Sequence, residues 1–91
     1  MEFYSWNPDK NEQLKKERGI CFEDIVLQLN AGHALGIVEN PNQKKYPNQM
    51  ILLINVDGYV YMVPFIIQEK GIFLKTIFPS RKYTKKYLKG E

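Results

Sequence analysis

The sequence is poor in the residues that build disulfides, metal sites and membrane-spanning helices. Its 91 residues include one cysteine and one histidine, too few for an internal disulfide or a zinc site of cysteines and histidines. The longest apolar stretch, 59–67, contains Pro64 and is far shorter than the roughly 20 residues of a membrane-spanning helix. The first residues lack the basic and apolar segments of a signal peptide. We therefore expect a soluble, cytoplasmic protein without a membrane partner.

The motifs of several large enzyme classes are also missing. The sequence contains no glycine-rich phosphate loop, no HExxH, no GxSxG and no cysteine pair. This sets aside the nucleotide-binding, metallohydrolase and serine-hydrolase sites that these motifs build. We expect neither a cofactor nor a metal ion. His33, at the start of a predicted strand, is interpreted as an edge or loop residue, and Cys21 as a small buried residue.

The composition is that of one folded domain. Hydrophobic residues make up 44% of the chain and aromatic residues 13%, which excludes intrinsic disorder and fibrous repeats. At 10.7 kDa the chain is the size of one small domain, with no room for a second core. We expect a single domain over residues 1–91.

The net charge of +3 is unevenly distributed along the chain. Residues 1–39 contain four basic and seven acidic side chains, whereas residues 71–91 contain six basic and one acidic side chain. A concentrated positive segment favours an anionic partner, either nucleic acid or an acidic protein surface, because clustered cations raise the local potential and release counterions on binding. The alternative is a solvated helix face that binds nothing.

Two helices are predicted in the first third of the chain. Asn7 can cap a helix whose first position is Pro8, and Gly19 is placed to end it, which predicts a helix over 8–18. A second helix over 22–30 is predicted by apolar residues spaced i, i+3, i+4 and i+7, namely Phe22, Ile25, Val26 and Leu29. Residues 3–6 carry β-formers and predict a short strand, the alternative being a frayed start.

The rest of the chain changes to a β-type pattern. Strands are predicted at 33–39, 50–56, 59–63 and 72–78, and the strand at 59–63 continues past Pro64 over 65–68. A turn-rich loop is predicted at 40–48 and a short basic helix at 81–89. Asp57-Gly58 is the strongest hairpin signal, and Leu52 and Ile54 beside it are predicted to be buried. Pro64 lacks an amide donor and suggests a bulge or an edge. This order predicts an α+β fold, with two N-terminal helices and a short C-terminal helix on one mainly antiparallel sheet.

Cations and aromatic rings alternate near the C-terminal end. The candidate site consists of Lys75, Arg81, Lys82, Tyr83, Lys85, Lys86 and Tyr87. Such a mixture can hold RNA, because cations neutralise phosphates and exposed rings stack on unpaired bases. Cleavage needs in addition a proton acceptor, a proton donor and cations at the phosphate. The alternative is that Tyr83 and Tyr87 pack the helix against the sheet while the cations are solvated.

Three segments resemble a known family. Residues 6–10 read W-N-P-D-K, similar to the W-D-P-x-K opening of the BrnT-like toxins, small ribonucleases of RelE-like fold from bacterial type II toxin–antitoxin operons. Residues 19–24, G-I-C-F-E-D, resemble the family's G-V-S-F-E-E segment at the same nine-residue distance from the lysine. Residues 77–86 resemble its I-S-A-R-x-A-T-x-x-E region, with Arg81, Thr84 and Lys85 on the family's arginine, threonine and basic positions.

The chain departs from the family pattern at several polar positions. Asn7 replaces an aspartate, Glu17-Arg18 a lysine-histidine pair and Leu14 a helical asparagine. The family's serine-alanine pair is Phe78-Pro79 or shifted, and its glutamate is Tyr87 or absent. The resemblance nevertheless covers nearly the whole chain. It implies a RelE-like fold, endoribonuclease activity without a metal, and a cognate antitoxin protein as partner.

The resemblance and the candidate site together imply roles for the individual residues. Arg81 and Lys75 hold the scissile phosphate of an RNA, free or on the ribosome, and Lys82 or Lys85 stabilises the developing charge. These four cations and Tyr83 are the expected catalytic residues.

Two further residues, Lys86 and Tyr87, are expected to bind RNA, and either Tyr87 or Tyr83 stacks on a base or donates a proton. The alternative function is a non-catalytic protein- or nucleic-acid-binding module that uses the same basic C-terminal surface.

Overall fold

The computed structural model describes residues 3–89, which form an α+β fold with three helices and one mixed six-stranded sheet. The elements are β1 (Tyr4–Ser5), α1 (Pro8–Arg18), α2 (Phe22–Asn30), β2 (Ala34–Glu39), β3 (Met50–Val56), β4 (Tyr59–Gln68), β5 (Gly71–Leu74), β6 (Phe78–Pro79) and α3 (Arg81–Leu88). None of the helices in this part of the chain is long and apolar enough to cross a membrane. The predicted ends of α1 and α2 are confirmed.

The sheet has the order β1-β5-β4-β3-β2, with β6 paired to β4 beside β5. Four of the strand pairings are antiparallel, and the pairing of β1 with β5 is parallel. The sheet is therefore mixed. β1 approaches closely at Gly71, where φ is 147° and an added Cβ would lie 2.1 Å from the carbonyl oxygen of Phe3. The parallel contact thus requires glycine at this position.

The first helix begins and ends as its sequence predicts. The Asn7 side chain accepts hydrogen bonds from the amides of Asp9 and Lys10, and Pro8 occupies the first turn. Gly19 ends the helix in the left-handed conformation, with φ at 66°. Local capping therefore fixes both ends of α1.

The hairpin between β3 and β4 is confirmed. Asp57 and Gly58 both have positive φ, 53° and 84°, as a two-residue type I′ turn requires, and the Asn55 side chain accepts the amide of Gly58. Leu52 lies opposite Val63 across the hairpin. Leu52 is 6% exposed and Ile54 is fully buried, so both predicted core residues are confirmed.

Pro64 and the last predicted strand differ from expectation. β4 passes through Pro64 with an unbroken register to β3, so no bulge forms there. The carbonyl of Pro64 accepts the amide of Lys75. Beyond that bond the chain leaves the sheet, and the single strand predicted over 72–78 is two strands, β5 and β6. Because amide and carbonyl of one residue point to the same side of an antiparallel strand, the missing donor of Pro64 faces this gap.

The two faces of the sheet carry different layers. On one face, which we call the α1/α2 face, the larger core comprises Leu14, Ile20, Phe22, Ile25, Leu52, Ile54, Val56, Val63, Phe65, Leu74 and Ile77. On the other, the α3 face, Ile51, Leu53 and Val60 form a smaller core against Tyr83 and Leu88 of α3. The sheet is thus enclosed between two N-terminal helices and one C-terminal helix.

Candidate nucleic-acid interface

Hydrogen bonds connect the first turn of helix α3 to strand β4. The amide of Ser80 donates to the carbonyl of Val60 at 2.9 Å, and the amide of Val60 donates to the Thr84 hydroxyl at 2.9 Å. That hydroxyl donates in turn to the Ser80 carbonyl, and the Ser80 side chain caps the amide of Tyr83. Thr84 is 3% exposed. These bonds hold the helix at a fixed place on the sheet and leave its outer surface free.

Two tyrosines share one flank of α3, as their i, i+4 spacing predicts. The rings of Tyr83 and Tyr87 lie 6.0 Å apart, centroid to centroid. The ammonium groups of Lys82 and Lys86 lie 5.6 and 5.8 Å from the centroids of the following rings. Tyr83 is half-buried against the small core, whereas Tyr87 is 41% exposed. The structure therefore brings these four residues together, and Tyr83 also packs the helix as the alternative interpretation expects.

Arg81 and Lys85 lie on the opposite flank, since helical positions four apart share a side and Thr84 faces the sheet. Both side chains are exposed. Within residues 3–89, the ion pairing that occurs is between Lys15 and Glu12 on α1, and no cation of α3 takes part in a salt bridge. The basic side chains of α3 are therefore available to an external anion.

The placement of Arg81 and Lys82 opposes the helix dipole. They occupy the first turn of α3, which contains no acidic residue. The amino end of a helix carries partial positive charge, so a cation there is unfavourable and an anion is favourable. The arrangement costs the isolated fold some stability and increases the attraction for a phosphate.

Lys75 lies on the α3 face but apart from α3. It follows β5, and its ammonium lies 5.4 Å from the ring centroid of Phe73. Phe73 pairs with Ile66, which shares a sheet face with Val60 because side chains alternate along β4. Lys75 is exposed and thus stands on the same side of the sheet as the helix.

Sequence reasoning missed a buried polar link between α1 and α2. Asn11 is 4% exposed, accepts the amide of Phe22 at 2.7 Å and donates to the Glu23 carboxylate at 2.7 Å. The bond from Asn11 lowers the pKa of Glu23 below its usual value. The signal that could have revealed this link is the position of Asn11, three residues before Leu14 and therefore on the inner side of α1. This link supports the fold rather than the basic surface.

Cys21 and His33 stand away from the candidate interface. Cys21 is half-buried rather than buried, because it forms the N-cap of α2, where its amide and thiol both donate to the Asp24 carboxylate. Burial, more than the contacts with Asp24, raises the pKa of this thiol. His33 is exposed beyond the end of α2, where its ring pairs with the Gln28 side chain, in keeping with the predicted loop position.

An apolar groove of about 620 Å³ opens on the α1/α2 face, away from the basic helix. Ile37 and Ile67 line it and are 57% and 70% exposed. Other lining residues include Leu29, Met50 and Phe65. Because the lining residues of this groove are uncharged, it does not extend the cationic surface.

Comparisons of the chain with protein-family models, with curated proteins and with solved structures give no match. The candidate function is therefore supported by the geometry of the chain itself and by the resemblance of its segments 6–10, 19–24 and 77–86 to the family named above.

Proposed function

We propose that the protein is the toxin of a type II toxin–antitoxin pair, an endoribonuclease of RelE-like fold that resembles the BrnT-like toxins and acts in the cytoplasm without a metal. The observation that supports this most directly is the first turn of α3. Arg81 and Lys82 stand there against the helix dipole, and neither has an ion-pair partner in the part of the chain that the structure describes. A phosphate would satisfy both the cations and the helix end.

In this proposal Arg81 is the principal phosphate ligand. Its planar guanidinium can donate to two phosphate oxygens at once, which a lysine ammonium cannot reproduce. Lys75, on the same face of the sheet but apart from α3, contacts the RNA backbone beside that phosphate. Lys85, which shares a flank with Arg81, and Lys82 stabilise the charge that develops on the phosphorane.

Cleavage by these groups uses the RNA's own 2′-hydroxyl as nucleophile. The 2′-oxygen forms a bond to phosphorus as its proton passes to water or to a side chain of the site. The bond from phosphorus to the 5′-oxygen breaks as that oxygen takes a proton from water or from Lys85, because Tyr83 and Tyr87 lie on the other flank of α3 and stack on bases instead. The products are a 2′,3′-cyclic phosphate and a 5′-hydroxyl, and Lys86 and Tyr87 hold the adjoining nucleotide.

The proposed partner is a co-encoded antitoxin with an acidic surface. The exposed cations of α3 form a single-sign surface that an acidic protein segment can cover, which blocks access of RNA to Arg81. The rate of complex formation should fall with ionic strength, because opposite charges accelerate the encounter of two proteins. Co-purification of the neighbouring gene product from the native host tests this partner.

The nuclease proposal is tested with purified protein on a labelled RNA in a chelating buffer. We expect wild-type protein to yield 2′,3′-cyclic phosphate ends, and Arg81→Lys to lose most of this activity although it keeps the charge. Lys16→Ala, which removes an exposed cation from α1, is the matched control and should cleave as wild type. Full activity of folded Arg81→Ala would contradict the catalytic assignment.

A second candidate, a non-catalytic binding module, is favoured by one observation. Residues 71–89 contain no carboxylate and no imidazole, the groups that most often act as general base. Expression without a partner separates the two functions. Growth arrest by wild type but not by Arg81→Ala supports the nuclease, whereas unimpaired growth together with RNA or protein binding supports the module.

A further inference from the structure

The loop between β2 and β3 also carries exposed cationic and aromatic residues. Lys44, Lys45 and Tyr46 are exposed, with Tyr46 at 39%. The ammonium of Lys45 lies 5.3 Å from the centroid of the Tyr46 ring. The same arrangement of a lysine over the ring of the next tyrosine occurs twice on α3. Three Lys-Tyr dipeptides in this chain thus present one type of surface.

Side-chain amides hold this loop in one conformation. The buried Gln49 accepts the Asn40 side-chain amide through Oε1, and the Gln43 amide donates to the carbonyl of Asn40. Gln43 also accepts the amide of Asn48, whose φ is positive at 63°. A loop with these internal bonds loses little conformational entropy when its exposed side chains bind a ligand.

The loop joins the sheet beside the far end of α3. The hydroxyl of Tyr87 lies 4.0 Å from the position of a Cβ built on Gly36 in β2. Leu88 packs in the same cluster as Val38 and Ile51, the residues two positions before and after the loop segment 40–49. The carboxyl end of α3 therefore packs on the parts of β2 and β3 that lead into and out of the loop.

We propose that the loop 40–49 is a second RNA-binding element, in which Lys44 and Lys45 contact phosphates and Tyr46 stacks on a base beyond the end of α3. This inference rests on the proposed RNA binding by α3. A single strand that leaves the helix near Lys86 meets the loop next, so the loop contributes only to RNAs long enough to span both elements. It sets the length and the register of the bound strand, whereas α3 binds the phosphate that is cleaved.

The experiment measures the affinity of two single-stranded RNAs, about 4 and about 16 nucleotides long, which bracket the sites of small single-strand binders. The variants are Lys44→Ala/Lys45→Ala in the loop, Lys82→Ala/Lys86→Ala on α3 and Lys10→Ala/Lys16→Ala on α1 as a control of equal charge. The logarithm of the binding constant falls linearly with the logarithm of the salt concentration, and each phosphate contact on a single strand adds about 0.7 to the steepness of this fall. The loop variant should therefore reduce the steepness by about 1.4 on the long RNA and bind that RNA about tenfold more weakly at 0.15 M salt.

On the short RNA, the loop variant should bind as wild type while the α3 variant weakens on both lengths. Tyr46→Ala should weaken the binding of the long RNA about tenfold or more, because one stacked base is lost. Equal losses in the loop and α1 variants, or an unchanged affinity of the loop variant for the long RNA, would overturn the loop assignment and leave α3 as the binding element. Absence of RNA binding by wild type would overturn both proposals.

Discussion

The two faces of the sheet differ in the size of their core and in the placement of charges on their helices. The α1/α2 face holds the larger core, including the fully buried Phe22 and Ile25, and its helices follow the rules of helix electrostatics. Asp9 and Glu23 lie in the first turns, and Lys15 in the last turn of α1. The α3 face has a smaller core and a helix that carries cations in its first turn. The contrast fits the proposed function of α3, since functional surfaces are where local rules are most often broken.

The largest effect should come from the α1/α2 face. Leu52→Ala removes a side chain that is 6% exposed and should lower the free energy of unfolding by about 2 to 5 kcal/mol. Leu88→Ala, at a half-buried position on the α3 face, should cost only about 1 kcal/mol. Chemical denaturation of the two variants tests the comparison. A loss below about 0.5 kcal/mol for Leu52→Ala would show that the core is wrongly placed.

A second effect should come from the link between α3 and β4. Thr84→Val keeps the shape of the side chain but leaves the amide of Val60 without its acceptor, which should cost about 1 to 3 kcal/mol. Thr84→Ser retains the hydroxyl and serves as the control, so it should be the more stable of the two. Equal stability of the two variants in denaturant titrations would mean that water replaces the hydroxyl and that α3 is held by its apolar contacts alone.

The elements that sequence predicts correctly are those with local causes. The ends of α1 follow from Asn7, Pro8 and Gly19, which lie in the helix or directly beside it. The hairpin follows from Asp57-Gly58 in the same way. Each of these signals acts through neighbouring residues, so no knowledge of the rest of the fold is needed.

The errors concern partners that are distant in sequence. The parallel pairing of Tyr4 with Ile72 joins two strands that are far apart in the chain, and no local pattern specifies it. The split between β5 and β6 follows from Pro64, which lies on another strand and faces the gap. Asn11 acts on Phe22 across a helix junction. Within the candidate site, the pairing of Tyr83 with Tyr87 is predicted by helical spacing, whereas the separate position of Lys75 is set by tertiary structure.

A smaller effect should appear as a pH dependence on the α1/α2 face. The pKa of Glu23 is lowered in the folded protein, first by the hydrogen bond from Asn11. A lowered folded pKa contributes stability above the unfolded value, and the contribution is lost as the pH falls through the folded pKa. The melting temperature should therefore be measured at decreasing pH from pH 6. Below pH 4.5, the ordinary pKa of a glutamate, it should fall less steeply in Glu23→Gln than in wild type. Parallel curves would exclude this contribution, and Glu69→Gln, at an exposed position between β4 and β5, is the control.

The smallest effect should come from the cations of α3, and its sign distinguishes the two faces most sharply. Lys82 is exposed, lies in the first turn of α3 and has no salt bridge within residues 3–89, while Lys85 and Lys86 lie one turn away. Lys82→Gln removes a cation from the positive end of the helix and also repulsion between like charges, so the free energy of unfolding should be unchanged or up to about 0.5 kcal/mol higher at low ionic strength. At 1 M salt the Debye length is about 3 Å and the difference should vanish. Lys15→Gln, which breaks the ion pair with Glu12 on α1, should instead lower stability at low salt. A destabilised Lys82→Gln would mean that the lysine supports the fold through its position over the Tyr83 ring, and that the contrast between the two faces does not hold.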